Sequence, residues 1–148
     1  MKTLVIYDSM FGNTEIIAKA IANICGAKLV KAADFNLDDI KNIDLLVVGS
    51  PTQAGNPTVL VQKALTKIIK LDNIKIAAFD TRMPMKWVKI FGFASNKIVK
   101  KLQKVNGVIA TNPEGFLVSS KEGPLVDGEL ARAKQWAQAI LNNSIVSK

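Results

Sequence analysis

Between an apolar run and a helical pattern, the chain gathers the hydroxyls of Ser9 and Thr14, the amide of Asn13 and the bare backbone of Gly12, within Tyr7-Asp8-Ser9-Met10-Phe11-Gly12-Asn13-Thr14. Residue types of this kind bind anions. Ser9, Asn13 and Thr14 offer donors, and Gly12 lets the backbone approach a ligand with no Cβ in the way. A helix starting here aims unpaired N–H groups and the positive end of its dipole at one point. No glycine pair has dinucleotide-binding spacing and no Gly-Lys-Ser/Thr ends the loop, so both well-known phosphate loops of nucleotide enzymes are excluded. A terminal monophosphate held by neutral donors is the chemistry that remains. The same residues also read as an ordinary strand-to-helix turn with Ser or Thr as its cap.

The elements around this loop follow from hydrophobic period. Thr3-Leu4-Val5-Ile6-Tyr7 is short, β-branched and apolar, as in a strand buried on both faces of a parallel sheet. Beyond the loop, Ile17, Ala20 and Ile21 share a helical face. Ala27–Lys31 has strand character, and Asp34–Ile43 reads as a polar linker or short turn. Asp44–Gly49 gives a second apolar strand, followed by Ser50-Pro51-Thr52-Gln53-Ala54-Gly55-Asn56-Pro57, with Thr58 capping a helix that runs to about Lys70. Lys75–Phe79 is the next strand, ending at Asp80-Thr81-Arg82 before an irregular segment that reaches Phe93. A helix from about Ala94 to Lys104 stops at Asn106-Gly107. Val108–Ala110 and Gly115–Val118 flank Asn112-Pro113-Glu114 as a last strand interrupted by a turn, and Asp127 caps a final helix carrying Leu130, Ala133, Ala137, Ile140 and Leu141.

Strands alternating with helices at this spacing predict an α/β fold with a parallel sheet between helix layers. Ligands of such sheets sit beyond the carboxyl ends of the strands. Three loops meet on that edge: Ser9–Thr14, Ser50–Asn56 and Asp80–Phe93.

Composition narrows the function further. With 148 residues the chain suits one domain spanning 1–148. No apolar run approaches the length of a membrane span and no cleavable leader is expected, so the sequence reads as cytoplasmic. Cys25, the single cysteine, is expected as a small core residue. There is no histidine, which removes imidazole-based zinc sites and Ser-His-Asp catalysis. The net charge of +8 comes from lysines spread along helical segments with no nucleic-acid motif beside them, so no nucleic-acid partner is expected.

With these loops in place the chain resembles the flavodoxins, small proteins that carry one non-covalent FMN. The resemblance covers nearly the whole chain and implies a three-layer α/β/α sandwich on a five-stranded parallel sheet in the order 2-1-3-4-5. Without a long insertion in the last strand, it is similar to the short-chain branch. By that pattern Ser9, Met10, Phe11, Gly12, Asn13 and Thr14 would hold the ribityl phosphate. Pro51, Thr52, Gln53, Ala54 and Gly55 would line one side of the isoalloxazine, and Asp80, Thr81 and Arg82 the other. Gly55 tolerates backbone angles that other residues resist, so the Ala54–Gly55 peptide is where a backbone carbonyl would swing toward the flavin N5 and stabilise a neutral semiquinone.

Two departures stand out. Gln53 occupies a place where the family usually presses an aromatic ring on the flavin, leaving Trp87 as the candidate stacking partner, with Phe91 or Phe93 able to substitute. The family is typically acidic, whereas Arg82, Lys86, Lys89, Lys97, Lys100, Lys101 and Lys104 follow one another with no carboxylate between. A unit charge about 6 Å from the ring at an effective dielectric near 20 is worth roughly 3 kcal/mol, on the order of 0.1 V for one electron. A basic rim therefore implies a raised reduction potential and redox partner proteins with acidic docking surfaces. The function implied is that of an FMN-binding one-electron carrier, expected as a monomer. The alternatives are an FMN-dependent NAD(P)H:quinone-type reductase, or a flavodoxin-like protein that has lost tight FMN binding and acts through protein contacts. A phospho-receiver domain lacks support, because Asp8 is followed by Ser9 and Gly49-Ser50-Pro51 stands where a phosphoacceptor would be.

Overall fold

In the computed structural model, which describes residues 1–84 and 92–146, the apolar runs form β1 (Thr3–Tyr7), β2 (Lys28–Lys31), β3 (Leu45–Pro51), β4 (Lys75–Arg82), β5 (Val108–Ile109) and β6 (Glu114–Leu117). They make one sheet in the order β2-β1-β3-β4-β5, and β6 also pairs β4. Every pairing is parallel. This is the expected order, with its fifth strand in two pieces. The register steps from Ile76↔Ile109 to Phe79↔Glu114, so the edge strand spends two residues more than β4 over that stretch. Pro113, lacking an N–H, falls in the detour, as an edge strand permits.

Among the described residues four α-helices, α1 (Asn13–Cys25), α2 (Val59–Lys67), α3 (Ala94–Lys104) and α4 (Glu129–Val146), cover the sheet. Val5, Tyr7, Val47, Ala77, Phe79 and Phe116 pack under α1 and α4. Leu4, Ile6, Leu46, Val48, Ile76 and Ala78 pack under α2 and α3. The period-2 alternation of each strand thus sorts consecutive residues onto opposite layers. Phe79, Phe116 and Trp136 meet edge to face with centroids 6.0–6.1 Å apart. The Phe79 ring lies directly on Gly49, where a Cβ would stand 2.0 Å from its Cζ. Cys25 is buried in this layer, and desolvation pushes its thiol up to about 11.

Several boundaries differ from the sequence reading. Strand β4 continues through Asp80, Thr81 and Arg82, because Ser50 and Pro51 of β3 on one side and β6 on the other keep pairing it. Helix α2 stops at Lys67 rather than near Lys70: Ile68 and Leu71 are buried in the core, and Leu71 N–H donates to Val105 O at 2.8 Å. Gly128 at φ +90°, not Asp127, immediately precedes α4. The Asp34–Ile43 region holds two short 3-10 turns, the second fixed by reciprocal capping between Asn36 and Asp39. Thr58 does cap α2, its Oγ1 accepting from Val61 N–H at 3.3 Å. Among the described residues no helix is long and apolar enough to cross a membrane.

Candidate functional site

The carboxyl ends of the strands open onto a cavity of about 420 Å³, within the range of roughly 300–1,000 Å³ usual for small-molecule sites. Its wall is built by four chain segments. Ser9, Met10, Phe11, Asn13 and Thr14 come from the β1–α1 turn, and Pro51, Thr52, Gln53 and Ala54 from the loop after β3. Thr81, Arg82 and Met83 come from the end of β4, with Val118 and Lys121 from the loop after β6.

The first turn is shaped from within. Ser9 Oγ accepts from Gly12 N–H at 3.1 Å and Glu15 N–H at 3.2 Å, so this hydroxyl ties down the start of α1 while its own proton stays free to donate. Gly12 sits at φ +93°, a conformation that disfavours any side chain. Ser9 N–H is taken by its neighbour Asp8 at 2.9 Å. The N–H groups of Met10, Phe11, Asn13 and Thr14 find no acceptor among the described residues. Four unpaired donors at a helix N-terminus, on residues that line a cavity with no carboxylate among its described lining residues, suit a bound phosphate. Below the turn, Tyr7 Oη donates to Glu15 Oε1 at 2.7 Å, joining β1 to α1. Burial and that carboxylate push the phenol up to about 12, and the same bond holds Glu15 below the ordinary carboxylate value.

The second loop is a closed hairpin. Gln53 and Asn56 exchange N–H···O bonds of 2.8 and 2.9 Å around Ala54 and Gly55, both at positive φ (48° and 82°). Positive φ at both central residues is the primed geometry of two-residue hairpin turns, which glycine adopts freely and alanine resists. Ser50 Oγ anchors the loop's far end by accepting from Thr58 N–H at 3.0 Å. Thr52 joins it to the neighbouring strand and helix: its N–H donates to Thr81 O at 3.0 Å and its Oγ1 accepts from Ala94 N–H at 3.1 Å. Gln53 Nε2 donates to Met10 Sδ, so the first two loops touch across the mouth, where Met10 and Phe11 are exposed.

Strand alternation divides the third group. Thr81 points to the α1 side, where its Oγ1 meets Thr14 Oγ1 at 2.8 Å, both residues being buried. Asp80 and Arg82 point to the α3 side. Asp80 is fully buried and takes both Arg82 Nε and Nη2 at 2.7 Å, and Ser95 N–H at 3.0 Å. The Arg82 guanidinium also lies 3.4 Å from the centroid of the Phe93 ring.

Of the residues singled out from the sequence, eleven line the cavity: Ser9, Met10, Phe11, Asn13, Thr14, Pro51, Thr52, Gln53, Ala54, Thr81 and Arg82; Gly12 is not among them and shapes the first turn through its positive φ. Gly55 is buried inside its hairpin and Asp80 behind Arg82, so these two support the wall without forming it. Arg82 does not join the free basic run, since a buried carboxylate neutralises it. Trp87 and Phe91 lie outside the described residues, and Phe93 stacks on Arg82. Met83, Val118 and Lys121 escaped the sequence reading. The signal for the last two was available: a parallel last strand must deliver its following loop to the same sheet edge as the others.

A family model described as Flavodoxin matches residues 5–136. Comparison with curated protein sequences finds no match. Among solved structures the chain is similar to a flavodoxin from the domain Archaea, at 22% identity and a TM-score of 0.77, covering 98% of this chain and 99% of that one. It is similar to flavodoxin 2 from Bacillus cereus at 18% identity and a TM-score of 0.81, covering 96% and 99%. Rubredoxin oxygen:oxidoreductase from Desulfovibrio gigas matches at 20% identity and a TM-score of 0.79, with 98% of this chain overlying 36% of that one.

Proposed function

Because the chain belongs to the flavodoxin family, FMN-binding electron-transfer flavoproteins in general, we propose that it holds FMN in the cavity described above and carries single electrons between redox partner proteins. The observation that bears most weight is the set of four unpaired N–H groups, on Met10, Phe11, Asn13 and Thr14, at the head of α1. In this reading they grip the phosphate, assisted by the Ser9 hydroxyl, while Gly12 gives the turn its curvature. Pro51, Thr52, Gln53 and Ala54 flank one side of the ring system, with Gly55 completing the hairpin. Thr81 and Arg82 flank the other, Asp80 fixing Arg82 from behind.

FMN supplies the electron-accepting ring when bound. The chain's own part is to bind, orient and bias it. Thr14 and Thr81 lock the phosphate turn to β4, and Thr52 locks the hairpin to β4 and α3. Charge supplies the bias. Residues 45–113 contain eleven lysines and arginines against two carboxylates, Asp72 and Asp80. Asp80 is paired with Arg82 and Asp72 with Lys70. Exposed Lys63 and Lys67 of α2 and Lys97, Lys100, Lys101 and Lys104 of α3 thus leave this layer strongly positive. Lys97 reaches the cavity loop itself, donating to Asn56 Oδ1 at 2.7 Å. Such a layer beside the cavity mouth suits an acidic docking surface on the partner and favours the reduced, more negative cofactor.

The test is the rate at which the reduced holoprotein gives electrons to small acceptors of opposite charge. Ferricyanide should react faster than a cationic ruthenium hexaammine at low salt, after correction for driving force, with the gap closing as salt rises. Equal rates, or a faster cation, would overturn the docking assignment. Sustained NADPH oxidation by the holoprotein alone would favour the reductase reading instead.

A further inference from the structure

Residues 119–124, after β6, fold into a short hairpin. Ser119 N–H donates to Pro124 O at 2.9 Å, Gly123 N–H to Ser120 O at 3.0 Å, and Val118 bridges to Leu125. This hairpin leans on the β1–α1 turn. Asn13 Nδ2 donates to Glu122 O at 3.1 Å, and the Gly123 backbone lies so close that a Cβ there would stand 2.6 Å from the Asn13 amide. Between those two contacts and the strand, Lys121 reaches the cavity wall that Ser9, Asn13 and Thr14 also form.

Among the described residues two charged side chains line the wall, Arg82 and Lys121. Asp80 neutralises the first at 2.7 Å. Lys121 forms no ion pair among the described residues, and no carboxylate shares its wall. Among the described residues the wall therefore carries one cation without a counter-charge, Lys121, and a hairpin fastened to the phosphate turn carries it.

We propose that Lys121 is the counter-charge for the phosphate end of the flavin nucleotide, so that the site distinguishes phosphorylated from unphosphorylated flavin by charge as well as by neutral donors. This rests on the FMN reading above. Asn13 is the positioning residue, since its amide fixes the hairpin that presents the lysine. An ammonium recognises the phosphate as a point charge, so an arginine at the same position retains the effect and a neutral side chain of similar length loses it.

The experiment titrates the apoprotein with FMN and, separately, with riboflavin, following quenching of flavin fluorescence. Wild type, Lys121→Met and Lys121→Arg are compared at low salt and at roughly 1 M salt, where the screening length shrinks to about 3 Å. At low salt Lys121→Met should raise the Kd for FMN about fivefold, the ~1 kcal/mol of a solvent-edge ion pair, and leave the Kd for riboflavin unchanged. Lys121→Arg should behave as wild type, and the FMN difference should vanish at high salt. Equal weakening of both flavins by Lys121→Met, or of neither, overturns the proposal while the FMN site stands. Uptake of neither flavin by wild type overturns both.

Discussion

Among the described residues, the bond between Thr14 Oγ1 and Thr81 Oγ1 is the one side-chain hydrogen bond that joins the phosphate turn directly to the end of β4. At 2.8 Å it lies between residues only 2% and 5% exposed, so each hydroxyl has little solvent to take the other's place. Thr81→Val keeps the branched shape and leaves Thr14 as a buried hydroxyl without its partner. An unsatisfied buried hydroxyl costs roughly 1–3 kcal/mol, and Thr14→Val should cost about the same for the reciprocal reason. Removing both at once replaces a polar pair by an apolar one of the same shape, which is close to neutral. The double variant should therefore be more stable than either single one, with a coupling energy of about 1.5 kcal/mol or more. With a urea slope of about 2 kcal/mol per molar, each single variant should lower the unfolding midpoint by roughly 0.7 M, and the double variant should recover most of it. Urea unfolding of the four apoproteins measures this directly. Strict additivity, with the double variant lowest by about twice the single shift, would refute the reasoning.

Two further outcomes follow from the packing around the site. Glu129 accepts from Arg132 and from Leu117 N–H at 2.7 Å, and these bonds, Arg132 foremost, hold its carboxylate below the ordinary value. A folded-state value below the unfolded one stabilises fully above about pH 4.3 and is lost as pH falls through the folded value. Glu129→Gln should thus be less stable than wild type at neutral pH by about 1–2 kcal/mol, with the difference shrinking in an acid titration below roughly pH 4. A constant difference across that range would contradict the assignment. Gly49→Ala would drive a methyl to 2.0 Å from Phe79 Cζ, against a ring that Phe116 and Trp136 hold in place. Overpacking of about 2 kcal/mol, or roughly 6 °C in a thermal melt, is the expected result, and an unchanged Tm would mean that the ring is free to move.

How much of this was legible in the sequence depends on how local each determinant is. The β1–α1 turn was readable because strand, glycine and helix onset lie within a dozen residues, and the interrupted last strand announced itself through Asn112-Pro113. The end of α2 was not, because Ile68 and Leu71 leave the helix to meet a buried surface made by residues more than thirty positions away. Arg82 looked like part of a free basic run when read along the chain. Read at strand period, Asp80 and Arg82 share a face, and that predicts their pairing. Lys121 was hidden for another reason: the contact that brings its loop to the cavity joins Asn13 to Glu122, 109 positions apart. The occupant of the place usually taken by an aromatic residue was visible at once as Gln53, but its contact with Met10 across the mouth required the fold.

The proposed function stands or falls with the unpaired amides at the head of α1 holding the phosphate of FMN. It is tested most directly by adding excess FMN to the apoprotein, removing unbound flavin and recording the visible spectrum and fluorescence. The account predicts a coloured protein with about one flavin per chain, its fluorescence quenched by the enclosing wall. A preparation that stays colourless, with all added FMN recovered in the flow-through, would contradict it.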